Sequence, residues 1–210
     1  MISHVPRPFS PDERSLITQR LRAAARTAFA SSGLRRVTVD DLARAAGISK
    51  GAFYLFYDSK EALLLDLLQR FEADFQRTLM DEVLRPALGP ADSLRTLLRT
   101  AVAVRGTDPL LRSLSDTDMN LLMRRVPPDQ AAALLEADVA LAQRFVDYWQ
   151  AQGSPLGIDA QVLTGLMRAI VLTAFRQQEI GAPPVYAQVV QLMIDSIAEH
   201  LESRSLTHVD

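Results

Sequence analysis

The chain has 210 residues, 48% of them apolar and 23% charged, with a formal net charge of −2 and no cysteine. This length and apolar fraction allow one large or two small cores and exclude a disordered tail, while the lack of cysteine excludes a disulfide framework, a thiolate metal site and a cysteine nucleophile. No apolar run approaches the roughly 18 residues of a membrane span, and Met1 to Ser10 hold His4, Arg7 and two prolines but no apolar segment, so no membrane partner is expected and the reducing cytoplasm is the expected compartment.

The pattern is helical from end to end. Ser10-Pro11-Asp12-Glu13 offers a cap, a proline at the first helical position and a carboxylate three residues after the cap. Leu16, Ile17, Leu21, Ala24, Ala25, Ala28 and Phe29 recur at spacings of three and four, which predicts an amphipathic helix ended by Ser31-Ser32-Gly33. Short elements follow. Thr38 caps a helix from Val39 to Ala46, with Asp41 in its first turn and Gly47 as a left-handed turn residue. Ser49 caps a second that runs to Phe56 or Tyr57, and Asp58 caps a third, with Glu61 completing a capping box. The stretch from Ser59 to Leu84 is strongly periodic and is stopped by Pro86 and Gly89-Pro90. Ala91 to Val104, Asp108 to Val126, Asp129 to Gln152, Asp159 to Ile180 and Val185 to Ser203 complete about nine helices, with no strand-like alternation. An all-α fold is expected.

Helix, tight turn, helix is the arrangement in which a second helix enters the DNA major groove while the first crosses the backbone. Leu42, Ala46, Ile48 and Phe53 have the spacing to pack inward, and Ala43 is small enough for close approach of the two helices. Ser49, Lys50, Gly51 and Tyr54 are left outward, a polar and partly bare surface, although Tyr54 also reads as a half-buried packing residue. Gly51 inside a helix costs about 1 kcal/mol relative to alanine, and close approach of the backbone to a ligand is the compensation. Thr38 is a cap whose helix end also offers free N–H groups to a phosphate. Lys60, in the first turn of its helix, opposes the helix dipole unless a phosphate docks there. Charge points the same way: residues 1–60 hold ten Lys and Arg against five Asp and Glu, residues 61–210 thirteen against twenty, and the only two lysines are Lys50 and Lys60. A basic head on an acidic carrier suits a polyanionic partner.

The runs RTAFASSGLRRVTVDDLARAAGIS and KGAFYLFYDSKEALL resemble the DNA-binding domain of the tetracycline-repressor (TetR) family of transcriptional regulators. Gly33, Thr38, Leu42, Ala43, Gly47, Ser49, Lys50, Gly51, Tyr54, Tyr57, Lys60 and Glu61 match that family's pattern. The helical remainder has the length and layout of its ligand-binding and dimerisation domain. The resemblance implies a helix-turn-helix domain over 1–58, with the first turn of the linking helix (59–62) contributing, and a ligand-binding and dimerisation domain over 59–210. It implies a ligand-responsive regulator, a repressor, that binds a palindromic operator in double-stranded DNA as a homodimer and is released by a small-molecule effector, without cofactor, metal or catalytic residues. DNA contacts, mainly to phosphate, fall to Thr38, Lys50, Tyr54 and Lys60, beside the outward Ser49 and Gly51, and Tyr57 packs inward. Phe56 departs from the pattern, which has histidine there, and a phenyl ring cannot donate to a phosphate as that histidine would. Leu55 reaches only a thymine methyl group or ribose. Weight then shifts to Lys50 and to the N-terminal arm containing Arg7.

By the same resemblance the last two helices form a four-helix dimer interface, with Gly165, Ala169, Leu172 and Phe175 on one and Val189, Leu192, Met193 and Ile197 on the other. These faces are too extensive for an exposed surface, the alternative being ordinary core. By analogy the helices from Ala91 to Gln152 enclose the effector pocket. Met119, Met123, Phe145, Tyr148 and Trp149 are candidates, since flexible methionines and amphipathic aromatics suit an adaptable apolar cavity, though each also fits a core position. Arg105 and Arg168 are candidates to meet an anionic ligand. Against an enzyme, His4, His200 and His208 lie at the chain ends, and no His-Glu-x-x-His, Gly-x-Ser-x-Gly or glycine-rich phosphate loop occurs. The remaining alternative is a helical ligand-binding protein whose DNA-binding head has decayed.

Overall fold

The structure, a computed structural model, describes residues 9–125, 127–174 and 176–206. Among them it contains eleven α-helices, one 3-10 turn and no strand. Helix α1 (Pro11–Arg36) opens with the expected capping box, Ser10 Oγ accepting from Glu13 N and Glu13 Oε2 from Ser10 N. Its buried residues Ile17, Leu21, Ala25 and Phe29 fall every fourth position. Helical geometry breaks at Gly33, whose φ of 73° favours glycine, and the chain makes one more turn to Arg36.

Thr38 caps α2 (Val39–Ala46), and Gly47 ends it at φ 76° with its N–H on Ala43 O and Arg44 O. Ser49 caps α3 (Lys50–Phe53), which is shorter than expected: beyond Phe53 the chain continues in tight turns, with Phe56 N donating to Phe53 O at 2.9 Å. Helix α4 (Lys60–Val83) is capped by Ser59 rather than Asp58, since Ser59 Oγ accepts from Ala62 N at 3.1 Å. Glu61 is thereby only the second residue of the helix and its carboxylate turns elsewhere.

A 3-10 turn (Pro86–Leu88) leads to α5 (Pro90–Thr107). Two expected helices are each split, which raises the count from nine to eleven. The segment from Asp108 divides into α6 (Pro109–Ser113) and α7 (Asp116–Arg125), because Leu114 is extended and Ser115 starts a new capping box with Asp118. After α8 (Pro128–Ala151), the segment from Asp159 divides into α9 (Ala160–Thr173) and α10 (Gln177–Ile180), and α11 (Pro183–Leu206) completes the fold.

Two apolar cores result. The first gathers Leu21, Phe29, Leu34, Leu42, Phe53, Leu63 and Leu64 and also Leu110, Leu114 and Leu122 from α6 and α7. The second gathers Leu79, Met80, Val83, Leu94, Leu97, Phe145, Trp149, Leu163, Tyr186, Val190 and Ile194. Each fully buried Leu or Phe stabilises its core by about 1.5–3 kcal/mol. Helix α4 spans both: residues 63–67 belong to the first and 79–83 to the second. Helices α6 and α7, remote in sequence from the head, pack on it.

Candidate nucleic-acid interface

The face formed by α2, the Gly47 turn and α3 is built from reciprocal caps. Thr38 Oγ1 accepts from Asp41 N at 3.2 Å and donates to Asp41 Oδ2 at 2.6 Å, while Thr38 N donates to the same carboxylate at 3.1 Å. These bonds hold the Asp41 carboxyl below its ordinary pKa. Ser49 Oγ is likewise occupied, accepting from Ala52 N. With the polar groups at both helix starts satisfied internally, the outward surface is left to Lys50, Gly51, Tyr54 and Leu55, with Tyr54 49% and Leu55 58% exposed. A Cβ added at Gly51 would meet only Ser49 Oγ, at 3.9 Å, so nothing within the fold requires glycine there. Tyr54 stands edge-on to Phe53 at 5.6 Å with its other side open. Beside it lies a recess of about 350 Å³ lined by Arg35, Thr38, Tyr54, Ser59 and Lys60 among others.

Lys60 has a different occupation from the phosphate contact expected of it. Its Nζ donates to Leu34 O and Val37 O, both at 2.7 Å, and to Arg35 O at 3.4 Å. These carbonyls lie at and just beyond the C-terminal end of α1, where helical acceptors run out of intrahelical donors and the helix dipole is negative, so the ammonium is favourably placed there. The dipole objection to a lysine at the start of α4 is met from inside the fold.

Tyr57 and Asp66 brace the face from behind. Tyr57 Oη donates to Asp66 Oδ2 at 2.6 Å, Arg22 Nε donates to the same oxygen at 2.6 Å, and Arg70 Nε to Oδ1 at 3.0 Å. Burial, reinforced by the bond to Asp66, pushes the Tyr57 hydroxyl up to about 12. Burial also opposes the Asp66 carboxylate, but the bonds from Arg22 and Tyr57 outweigh it and hold its pKa below the ordinary value.

Comparison with known proteins places this geometry. Residues 21–67 match the family model for bacterial regulatory proteins of the tetR family. Over this N-terminal head the chain is similar to the tetR family. The HTH-type transcriptional regulator EthR of Mycobacterium tuberculosis is 38% identical over 98 residues, which are 45% of this chain and 41% of EthR, so the match spans about two fifths of that relative. In fold the chain is similar to a TetR-family transcriptional regulator from Pectobacterium atrosepticum, at 21% identity and a TM-score of 0.66 over 95% of this chain and 96% of that one. It is also similar to Thermus thermophilus FadR, a TetR-family repressor solved in complex with lauroyl-CoA, at 24% identity and a TM-score of 0.60 over 88% and 93%.

The other expected site residues fall in three places. Phe145 and Trp149 lie in the second core with Tyr148 edge-on to Trp149 at 5.1 Å, and among the described residues Trp149 Nε1 is buried without a hydrogen-bond partner. Met119 packs on the first core instead and Met123 is exposed on α7, so the five candidates for a tetR-family effector pocket are not brought together. The split at Leu114 is the reason, since it carries α7 toward the head. Arg168 pairs with Asp138 at 2.8 Å, while the side chain of Arg105 and the whole of Phe175, Arg7, His4 and His208 lie outside the described residues. Gly165 and Ala169 are exposed, Leu172 is 63% and Leu192 68% exposed, and Val189 is partly buried. Met193 and Ile197, on the neighbouring face of α11, pack on the second core.

Sequence reasoning missed Val162 and Val185, which extend the exposed stripes of α9 and α11; the spacing of 162, 165, 169 and 172 was there to be read. It also missed three ion pairs that clasp the head to α6 and α7: Arg26–Asp108 at 2.5 Å, Arg35–Asp118 at 3.3 Å and Glu61–Arg125 at 3.3 Å. Only the Ser115-x-x-Asp118 capping signature gave a local sign of that element.

Proposed function

We propose that the protein is a dimeric, ligand-responsive transcriptional regulator of the cytoplasm, a repressor, whose helix α3 reads a palindromic site in duplex DNA. The observation that carries this reading is the outward face of α3. Lys50 makes no ion pair among the described residues, Gly51 leaves the backbone bare and Tyr54 is half exposed, a combination suited to close approach of a phosphate backbone. Thr38 and Ser49 fix the helix starts beside it. Residues 1–58 with the first turn of α4 make the DNA-binding unit, and the remainder the ligand-binding and dimerisation unit.

A two-fold pair of heads reads two half-sites about 34 Å apart. The apolar stripes of α9 and α11, with Leu172 and Leu192 at their most exposed points, supply a self-complementary surface for that pairing. The effector acts through the second core, where the indole N–H of Trp149 awaits an acceptor; FadR of Thermus thermophilus, similar in fold, was solved with lauroyl-CoA. Because α4 enters both cores and α6 and α7 are clasped to the head, a ligand that favours one arrangement of the second core shifts the heads by at most its differential affinity for the two arrangements.

Selection of a random-sequence duplex pool on the purified chain, at two salt concentrations, tests the reading. Enrichment of a palindrome, weakened by salt and abolished in Lys50→Ala, is expected. Retention without any enriched sequence would favour instead a ligand-binding protein whose head no longer reads DNA.

A further inference from the structure

Arg14 differs from the ion-paired arginines of the head. Arg22, Arg26, Arg35 and Arg44 each meet a carboxylate. Among the described residues Arg14 meets none; its guanidinium lies 4.9 Å over the Phe56 ring centroid, and Nη2 donates to Leu55 O at 3.0 Å. Phe56 is itself wedged against Phe9, ring centroids 5.7 Å apart. The guanidinium is thus fixed from two sides, by a π face and by a carbonyl, while Arg14 remains exposed to solvent next to the exposed Leu55. A guanidinium has five N–H donors, of which this arrangement uses one. The nearest acidic neighbours in sequence are Asp12 and Glu13, and Glu13 Oε2 is taken up by Ser10 N at 2.7 Å.

A cation held in place with donors to spare has already given up much of the side-chain freedom that binding would otherwise remove. We propose that Arg14 is a DNA-phosphate contact at the C-terminal end of α3, positioned there by Phe56, as the counterpart of Lys50 at the N-terminal end. Phe56 cannot itself donate to a phosphate, but its ring face sets the plane of a group that donates through a two-pronged fork. The proposal rests on the reading of the head as a duplex-DNA binder.

The test is titration of the full-length chain onto a fluorescent random-sequence duplex pool at several salt concentrations, for the wild type and for Arg14→Ala, Arg14→Lys, Phe56→Leu and Lys50→Ala, with thermal midpoints measured alongside. Arg14→Ala is expected to weaken binding about tenfold and to flatten the slope of log K against log salt by about 0.9 per phosphate no longer neutralised. Phe56→Leu, which changes no charge, reproduces most of the drop in affinity, and adding Arg14→Ala to it costs little more. Arg14→Lys falls between, since an ammonium keeps the charge without the fork. Unchanged affinity and slope in Arg14→Ala, while Lys50→Ala weakens binding, would overturn the proposal and leave Arg14 as a clamp on Leu55. A drop in affinity with an unchanged salt slope would overturn it equally, because the effect would then be structural. A wild-type chain that does not bind the pool at all sinks the DNA-binding reading, and the role of Arg14 with it.

Discussion

Each of the four helices of the head begins on a side chain, Ser10, Thr38, Ser49 and Ser59, that accepts a backbone N–H, whereas the long α5 and α8 of the C-terminal region begin on prolines with no such bond. Helices of four and eight residues, such as α3 and α2, do not persist on their own because nucleation is unfavourable, so they are fixed by local hydrogen bonds and by the residues they plant in a shared core. Helices of 18 and 24 residues, such as α5 and α8, are held by burial along their length. The surfaces differ in the same sense. The head leaves Arg14 and Lys50 without carboxylate partners among the described residues; the C-terminal region leaves Leu172 and Leu192 in the open. One surface suits a polyanion and the other a second copy of the chain.

The difference breaks down most visibly at the apolar stripe. Leu192→Asp would count twice at a two-fold interface, removing about 3–6 kcal/mol of burial, and light scattering at micromolar concentration is expected to show a monomer with an unchanged helical spectrum. A dimer that survives Leu192→Asp would move the pairing surface off α11. In the head, Phe53→Ala deletes a fully buried ring and costs about 3–5 kcal/mol. Trp149 is the only tryptophan and lies in the second core, so its emission reports that region alone. Loss of DNA retention and of part of the helical signal, with Trp149 emission unmoved, is expected. A simultaneous shift of the emission would show that α4, α6 and α7 bind the two cores into a single cooperative unit.

Asp66 sharpens the difference by pH. Its carboxyl titrates below the ordinary value in the folded chain, so its contribution is fully present above the unfolded carboxylate pKa and is lost as pH falls through the lowered folded one. Asp66→Asn leaves Arg22 and Tyr57 partly unpaired and is expected to cost about 1–3 kcal/mol at neutral pH. Denaturant melts should also lose part of their acid sensitivity in this variant. An undiminished acid dependence would assign it to carboxylates elsewhere.

The head is legible in the sequence where its signals are local. Thr38 with Asp41, Gly47 at positive φ and Ser49 each announce themselves within four residues, and the structure has all three in those roles. The place of Lys60 is not legible because its partners, the carbonyls of Leu34 and Val37, lie more than twenty residues away, and nothing in the spacing reveals them. The same limit hides α6 and α7. Their apolar residues have helical spacing that fits either core, and the choice of the first is made by Leu110, Leu114 and Leu122 meeting side chains from α1 and α4. Spacing alone therefore groups Met119 and Met123 with Phe145 and Trp149. The exposed stripes of α9 and α11 are half legible: periodicity marks the apolar residues but not which of them face outward.

The smallest effect discriminates most finely between the two regions. Thr38→Ala removes the acceptor for Asp41 N and the donor to Asp41 Oδ2 and is expected to cost about 1 kcal/mol, while Thr38→Ser keeps both bonds and most of that stability. Asp159 caps α9 through a single bond, accepting from Gln161 N at 2.7 Å, and α9 is otherwise held by Leu163 and Ile170 in the second core. Asp159→Ala should therefore cost less than Thr38→Ala in paired thermal melts, because burial keeps α9 in place after its cap is gone. Equal costs would mean that caps count alike in both regions, and that the short helices of the head are held by Leu42 and Phe53 in their core as firmly as by the hydrogen bonds at their ends.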